Sequence, residues 1–341
     1  MDPFLAGFPI PTTVAAVLRQ YPSSCHPVGI ESLGGHGGFS GAELWRLRTT
    51  SGLLCLRRWP EEHPAPERLR FIHRVLLHAA ARGCNRLPLP IATQSGETFC
   101  SDDGRLWELT PWLAGAADYH AGPSAEKLQA ALTALGEFHC ATSDFLSPAP
   151  VEVSPGMLRR REQLKSLLAG RLERLRHAVR PLAGWAGLES LARELIDLFP
   201  RRQAAVMRQL ELGCNCRVRL QPCLRDIWHD HVLFDGSRVT GLIDFGAMAI
   251  ETPSADVARL TGSLAADDRQ AWSAALAAYA AVRPLSPDEQ ALVAAFDSSA
   301  VLMAGLQWLE WVYLEGREFA EPERVMERVR GWVERLHSSI R

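Results

Sequence analysis

Residues 220–246 read LQPCLRDIWHDHVLFDGSRVTGLIDFG. The stretch contains two short apolar runs, at 232–234 and 239–243, separated by a turn that begins with Asp235 and Gly236. An Asp-Gly pair between apolar runs is typical of a β-hairpin, because the tight turn needs residues that accept a positive φ. The sequence therefore predicts a hairpin whose strands are these two apolar runs.

The predicted hairpin has a carboxylate at each end. Asp226 lies just before the first strand, and Asp244, followed by Phe245 and Gly246, lies just after the second. Two acids near each other suit phosphoryl transfer, in which one orients the attacking hydroxyl and the other holds a metal ion that neutralises phosphate charge. The alternative is an ordinary surface hairpin with two solvated aspartates.

This stretch resembles the catalytic centre of the aminoglycoside phosphotransferase and choline kinase-like family, which has a protein-kinase-like fold. Asp226 stands where that family has its catalytic Asp, and Asp244-Phe245-Gly246 matches its metal-binding motif at a kinase-like interval. Asp256 matches an aspartate that braces the catalytic loop from a following helix. The resemblance covers nearly the whole chain, and it implies that Asp226 is the catalytic base and that Asp244 binds metal.

Two features depart from the family pattern. His231 stands five residues after Asp226, where the family has a metal-binding Asn, and Leu224 and Arg225 replace the usual His and Gly before the catalytic Asp. Mg2+ prefers oxygen ligands, whereas imidazole suits softer metals. Either His231 binds metal and shifts the preference towards Mn2+, or Asp230 or a water molecule supplies the oxygen, or the protein binds nucleotide with little catalysis.

A glycine-rich segment, GGHGGFSGA, starts at Gly34 and lies between two predicted strands. Glycines let backbone N–H groups approach phosphate oxygens closely. The segment is not of the Walker type, because no Gly-Lys-Ser/Thr follows, and a flexible hairpin loop is the alternative. By resemblance it is the nucleotide loop, and the predicted nucleotide contacts in it are Gly35, Gly37, Gly38, Phe39 and Ser40.

Further nucleotide contacts are predicted on the strands that follow. Arg57 stands where kinases place the cation that contacts the α- and β-phosphates, and Arg can bind phosphate in a bidentate manner. In kinases the next helix offers a Glu to this cation, but the helix predicted at 65–83 carries only Glu67, on its first turn. Thr110 begins a loop that resembles the interlobe hinge of kinases, and Glu108 lies on the strand just before it, so both are predicted nucleotide contacts as well.

The resemblance and the order of elements predict a bilobal protein-kinase-like α+β fold, with a small β-rich N-lobe and a larger, mainly helical C-lobe. We expect residues 1–110 to form the N-lobe with the nucleotide loop, and residues 111–341 the C-lobe with the catalytic loop and acceptor site. Helical periodicity is predicted at 124–141, 156–179, 186–211, 255–282 and 287–338.

The 341 residues have a net charge of −2 and are 47% hydrophobic, as expected of a globular protein without a general attraction to nucleic acid or membranes. There is no apolar run of 18 residues and no recognisable signal peptide, so we expect a cytoplasmic protein. The sequence does not specify an oligomeric state.

Cysteines 214, 216 and 223 precede His229 and His231. A zinc site formed by these five residues is a minor alternative, because the C-x-C spacing is tighter than the usual spacing of zinc ligands.

The predicted function is therefore an ATP-dependent transfer of the γ-phosphoryl group to a hydroxyl of a small molecule, with Mg2+, or alternatively Mn2+, as cofactor. Aminoglycoside-, choline- and homoserine-like acceptors all remain open at this point, and a nucleotide-binding pseudokinase-like protein is the alternative. In aminoglycoside kinases C-terminal carboxylates hold the acceptor, and Glu310 and Glu315 are the corresponding acids here, although the aromatic residues around them also suit a packed core.

Overall fold

The computed structural model describes residues 11–34, 41–319 and 321–340. The chain forms two compact units, which are described separately: unit 1 contains residues 1–118 and 230–248, and unit 2 contains residues 119–229 and 249–341. The predicted loop contacts Gly35, Gly37, Gly38, Phe39 and Ser40 lie outside the described residues. The predicted lobe boundary between residues 110 and 111 stays a prediction.

Eleven strands are defined in the described part of the chain. They are β1 (Gly29–Gly34), β2 (Glu43–Thr49), β3 (Gly52–Arg58), β4 (Cys100–Asp102), β5 (Arg105–Pro111), β6 (Val151–Glu152), β7 (Val218–Arg219), β8 (Gln221–Cys223), β9 (Val232–Asp235), β10 (Arg238–Leu242) and β11 (Ala249–Glu251).

Eleven α-helices are defined among the same residues. They are α1 (Thr12–Leu18), α2 (Pro66–Ala81), α3 (Ala125–Thr142), α4 (Pro155–Ser166), α5 (Leu172–Ala178), α6 (Leu188–Leu198), α7 (Gln203–Gly213), α8 (Ser254–Ala265), α9 (Arg269–Val282), α10 (Pro287–Tyr313) and α11 (Pro322–Ile340). Four of them begin with proline, whose fixed φ suits a first helical position where no N–H is needed.

Unit 1 is built on a five-stranded antiparallel sheet with the order β1-β2-β3-β5-β4. Alternate residues of β2 and β3 point into a core that includes Leu47 and Leu56, and Trp107 of β5 stacks on Trp45 with ring centroids 5.3 Å apart. Helix α1 contributes apolar residues to the same core. Burying each large apolar side chain contributes about 1.5–3 kcal/mol, so this core holds the strands that carry Arg57 and Glu108.

The hairpin predicted at 232–243 is present as strands β9 and β10, which pair in antiparallel fashion with Asp235 opposite Arg238. Gly236 in the turn has a φ of 59°, which an Asp-Gly turn requires. The hairpin belongs to unit 1 because it is bonded to the segment after β5: Phe234 and Ala116 exchange backbone hydrogen bonds of 2.8 and 2.9 Å.

Unit 2 is mainly helical, with the short strand pairs β6–β7 and β8–β11. Its long helix α10 starts with a capping box, in which Ser286 accepts a hydrogen bond from Glu289 N and the Glu289 side chain accepts one from Ser286 N. Within the described part of the chain, α10 alone is long and apolar enough to cross a bilayer, and 61% of its most apolar window is buried inside the protein.

The observed classes of element confirm the predicted α+β fold: a small antiparallel sheet near the N-terminus and a mostly helical remainder. Four predicted helical segments are interrupted. Within 255–282, residues 266–268 separate α8 from α9. The segment 156–179 contains an irregular turn at Leu167–Arg171, where Gly170 has a φ of 112°. Phe199–Arg201 forms a 3-10 turn within 186–211, and residues 314–321 separate α10 from α11.

Candidate active site

In unit 1, Arg57 lies between two carboxylates. Its Nε atom is 3.5 Å from Oε1 of Glu108, and its Nη1 atom is 3.7 Å from Oδ1 of Asp244. Burial lowers the pKa of Arg57, but the charges of Glu108 and Asp244 outweigh burial and raise the pKa above its ordinary value. The guanidinium also lies over the ring of Trp59, 4.6 Å from its centroid. These contacts fix a permanent cation next to the acid that ends the hairpin.

Glu108 links Arg57 to helix α2. The Oε2 atom of Glu108 is 2.7 Å from Nε2 of His73, whose Nδ1 atom is 2.8 Å from the Thr98 hydroxyl. Glu67, the only acid in the helix as predicted, is exposed and lies 3.9 Å from Arg70 of the next helical turn. The carboxylate partner of Arg57 therefore comes from β5, and helix α2 contributes a histidine to this network.

A small cavity of about 40 Å3 brings several predicted residues together. It is lined by Arg57, Glu108, Thr110, Asp244 and Gly246, along with apolar and aromatic side chains. A volume of this size suits a water molecule or an ion rather than a nucleotide. It marks a polar recess beside Arg57 and Asp244.

Asp244 and His231 form the candidate cation site. Oδ2 of Asp244 lies 3.5 Å from Nε2 of His231, so one ion can contact both side chains. Asp244 has a φ of 61°, a conformation that non-glycine residues rarely adopt and that is concentrated at functional sites. One carboxylate and one imidazole fit a divalent cation, the carboxylate suiting Mg2+ or Mn2+ and the imidazole favouring the softer metals.

In unit 2, Asp226 is exposed on the loop after β8 and forms an ion pair with Arg259 of α8. Asp226 was the predicted base, whereas Arg259 was not predicted. A signal for Arg259 exists in the sequence, because it follows Asp256 by three residues in α8 and so shares its helical face. Asp226 and Asp244 belong to different units, and their predicted proximity stays a prediction.

Asp256 holds the loop that carries Asp226. It is fully buried, and its Oδ1 and Oδ2 atoms accept hydrogen bonds from the backbone N–H groups of Arg225 and Leu224 at 2.6 and 2.7 Å. Oδ2 also lies 3.1 Å from Nε2 of His139. The bracing role expected of Asp256 is thus visible within unit 2.

His139 is fully buried beside Asp256, and its Nδ1 atom is 2.8 Å from the hydroxyl of Tyr279. Burial lowers the pKa of His139, although its hydrogen bond to Asp256 acts in the opposite direction. Both ring nitrogens therefore have partners in the protein interior. His139 is a structural component of this network.

Arg225, immediately before Asp226, has a φ of 67°. This left-handed conformation costs an L-residue about 1–2 kcal/mol, whereas glycine adopts it freely. The glycine that the family pattern in the sequence analysis has at this point would suit this backbone conformation. In this chain an arginine adopts this conformation, and its backbone N–H donates a hydrogen bond to Asp256.

The zinc alternative finds no support in the described residues. The one group of potential ligands that converges there is His139, Cys223 and Asp256, which is buried and already linked by hydrogen bonds to neighbouring groups. Cys216 instead contacts the carbonyl oxygen of Leu212 at 3.6 Å.

A large cavity of about 620 Å3 lies within unit 2, among helices α8, α10 and α11. Its lining includes Arg259 and the loop residues Trp228 and His229, which follow Asp226 closely in sequence. The two acids that the resemblance to aminoglycoside kinases suggested for holding the acceptor, Glu310 and Glu315, do not line it. Glu310 is buried against Arg171, and Glu315 lies 2.8 Å from Arg317. This volume falls in the range of small-molecule pockets.

The chain is similar in sequence to known proteins. The sequence profile of the phosphotransferase enzyme family matches residues 35–292, which is most of the chain. Homoserine kinase of Brucella anthropi is 27% identical over 294 residues, covering 83% of this chain and 81% of that protein.

Two solved structures show the same fold. An aminoglycoside phosphotransferase from Alicyclobacillus acidocaldarius has a TM-score of 0.65 at 18% identity, covering 98% of this chain and 95% of that one. Amicoumacin kinase in complex with AMP-PNP and Ca2+ has a TM-score of 0.60 at 14% identity, covering 94% and 91%. The predicted protein-kinase-like fold is confirmed.

Proposed function

Because the chain belongs to the phosphotransferase enzyme family and is a small-molecule kinase, we propose that it transfers the γ-phosphoryl group of ATP to the hydroxyl of a homoserine-like acceptor. The observation that carries this proposal is the family match over residues 35–292, which includes Arg57, Asp226 and Asp244. A cytoplasmic location and Mg2+ as the metal belong to the same proposal.

In this proposal, unit 1 supplies the residues that bind the phosphates of ATP and the metal ion. Arg57 holds a charge that cannot be titrated away at neutral pH, and it donates to phosphate oxygens. Asp244, with His231 beside it, holds the divalent cation, which when bound neutralises negative charge on the phosphates. Glu108 keeps the Arg57 guanidinium in position through a cross-strand ion pair. The glycine-rich segment at 34–41 is proposed to cover the phosphates.

Unit 2 supplies the base. Asp226 accepts the proton of the acceptor hydroxyl as its oxygen attacks phosphorus and ADP leaves. The support for this role is the loop geometry. Asp256 accepts hydrogen bonds from the backbone of residues 224 and 225, so the backbone next to Asp226 is held in a fixed position. A group held in this way needs little reorganisation during the reaction.

The acceptor class rests on the relatives. The matched relative is named homoserine kinase and is aligned over four-fifths of both chains. Homoserine carries a primary hydroxyl, an ammonium and a carboxylate, so it offers one nucleophile and two charged groups for orientation. Of the three classes left open by the sequence, this is the one that the relatives favour.

The test is an acceptor panel with the purified full chain. ATP and Mg2+ are supplied with L-homoserine, choline or an aminoglycoside, ADP release is followed, and the phosphomonoester product is identified by 31P NMR. We expect acceptor-dependent ADP release and a phosphomonoester with L-homoserine. Phosphorylation confined to choline or an aminoglycoside would refute the acceptor class, and ADP release without any ester would refute the transfer itself. A reaction without acceptor is the control.

A further inference from the structure

Helix α2 is joined to the proposed phosphate-binding residues of unit 1 by a buried histidine. His73 contacts Glu108, and Glu108 contacts Arg57, so side chains from α2, β5 and β3 form one continuous network. We propose that His73 is a positioning residue for ATP binding, because it fixes the Glu108 carboxylate that orients the Arg57 guanidinium towards the phosphates. This inference rests on the proposed function and adds to it a residue that has no role there so far.

The carboxylate of Glu108 has a separate partner at each oxygen. Oε2 lies 2.7 Å from Nε2 of His73, and Oε1 lies 3.5 Å from Nε of Arg57. The terminal torsion of a glutamate is broad, so contacts at both oxygens restrict the rotation of this carboxylate. The contact with His73 is the shorter of the two and has the length of a strong hydrogen bond to a carboxylate. His73 therefore supplies the main constraint on the orientation of Glu108.

His73 is itself fixed by its surroundings. It is 1% exposed on the buried face of α2, and its Nδ1 atom lies 2.8 Å from the Thr98 hydroxyl. In a neutral ring, the N–H at Nε2 donates to Glu108 and Nδ1 accepts from Thr98. Phe99 packs edge-on against the imidazole, with ring centroids 6.0 Å apart. A histidine held at both nitrogens has one orientation, as a positioning residue requires.

Arg57 depends most on Glu108 when a metal ion is bound. In the structure Arg57 has a second carboxylate partner, because its Nη1 atom lies 3.7 Å from Oδ1 of Asp244. The proposed function places a divalent cation on Asp244, and the charge of that cation repels the guanidinium and offsets the attraction of the Asp244 carboxylate. Of these two ion pairs, the one with Glu108 then remains attractive, so the constraint from His73 becomes more important.

A buried histidine with two partners can also serve stability alone, and the two roles have different consequences for ligands. Positioning of Arg57 affects the binding of the phosphates of a nucleotide and leaves the binding of its adenosine part unchanged. An effect that is exerted through Arg57 also disappears when the Arg57 guanidinium is removed. A loss of packing alone shows neither property.

The experiment measures the affinity of the full chain for ATP and for adenosine by calorimetry, with Mg2+ present. We expect His73→Leu to weaken ATP binding by about 10-fold, the effect of losing one hydrogen bond to a charged group, and to leave adenosine affinity unchanged. His73→Gln keeps a side-chain N–H for Glu108 and should retain most of the ATP affinity. In an Arg57→Gln background, His73→Leu should change ATP affinity by less than about 2-fold.

His78→Leu is the control, because this histidine lies in the last turn of α2 and does not line the cavity beside Arg57. Thr98→Val is a milder second variant, which removes the hydroxyl that contacts His73 and keeps the shape of the side chain. It should lower ATP affinity severalfold and leave adenosine affinity unchanged. The same comparison is made with Thr98→Val if His73→Leu does not fold.

Unchanged ATP affinity in His73→Leu and Thr98→Val would overturn the proposal. An equal loss of ATP and adenosine affinity, or a His73→Leu effect of the same size with and without the Arg57 guanidinium, would overturn it as well. Each of these results leaves the kinase function intact, provided that the wild type binds ATP and phosphorylates an acceptor. A wild type that does not bind ATP would refute the proposed function and this inference with it.

Discussion

Arg57 and Glu108 are direct cross-strand partners on β3 and β5, and their side chains form an ion pair with Nε 3.5 Å from Oε1. Both side chains are largely buried, at 20% and 10% exposure. Leaving one charge of such a pair without its partner is strongly unfavourable. We expect Glu108→Gln to lower the free energy of unfolding by about 2–4 kcal/mol and to weaken ATP binding, because Arg57 loses the group that orients it.

Denaturant unfolding and ATP titration of the same preparations measure these two effects. Glu67→Gln is the matched control, since this glutamate of α2 is 82% exposed and should change neither quantity. Similar losses in both variants would contradict the role assigned to the β5 carboxylate.

Asp256 gives a second prediction. Its buried carboxylate accepts two backbone hydrogen bonds and contacts His139, so Asp256→Asn replaces an acceptor oxygen with a donor N–H group facing other donors. We expect the free energy of unfolding to fall by about 2–4 kcal/mol. Turnover should also fall, because the loop carrying Asp226 loses its anchor.

Urea unfolding at neutral pH measures the stability change. The control is Asp288→Asn, which alters an exposed aspartate in the first turn of α10 and should change stability by less than about 1 kcal/mol. An Asp256→Asn protein as stable as the control would refute the bracing role.

The lowered pKa of buried His139 predicts how the stability of the protein depends on pH. Its ordinary pKa is 6.5, and burial lowers that pKa in the folded protein, so the unfolded state binds a proton more readily. The stability that neutral His139 contributes is present above pH 6.5 and is lost as the pH falls below that value. The slope reaches at most about 1.4 kcal/mol per pH unit for one proton.

The slope is obtained from urea unfolding between neutral pH and the acid limit of the folded state. His139→Gln should flatten the curve just below pH 6.5, and exposed His177→Gln should leave it unchanged. An identical slope in the wild type and His139→Gln would show that other groups control it.

The backbone conformation of Arg225 predicts that a glycine at this position does not lower the stability of the protein. Because its φ is 67°, Arg225→Gly relieves about 1–2 kcal/mol of backbone strain, of which the greater flexibility of the unfolded chain cancels up to about 1 kcal/mol. We expect Arg225→Gly to be as stable as the wild type or slightly more stable. Arg225→Val should be destabilised, since branching at Cβ disfavours this conformation.

Thermal unfolding of the three proteins in parallel distinguishes the outcomes. A glycine variant less stable than the valine variant would contradict the assignment of strain to this position.

The sequence predicted features that depend on local pattern. The Asp-Gly turn specified the hairpin at 232–243, and the spacing of apolar residues predicted the helix observed as α2. The bracing role of Asp256 was implied by the resemblance of the segment after the hairpin to the phosphotransferase family. Such features need only nearby residues and a resemblance to related sequences, so no tertiary information is required.

Other features depend on contacts distant in sequence. Glu108 meets Arg57 and His73 only because β3, β5 and α2 pack together, and the composition of the segment does not specify that arrangement. The break at Gly170 was hidden by an otherwise helical pattern, since one glycine is tolerated in many helices. Arg259 had a positional signal, but its pairing with Asp226 requires the fold of unit 2.

The most direct test of phosphoryl transfer through Asp226 is Asp226→Asn, compared with Asp235→Asn, an exposed residue of the hairpin turn. ATP affinity and acceptor-dependent kcat are measured for both. We predict that Asp226→Asn retains ATP binding within a few-fold while kcat falls by about 10²–10⁴, the usual contribution of a general base, and that Asp235→Asn behaves like the wild type. Wild-type kcat in Asp226→Asn would contradict the assignment of Asp226 as the base.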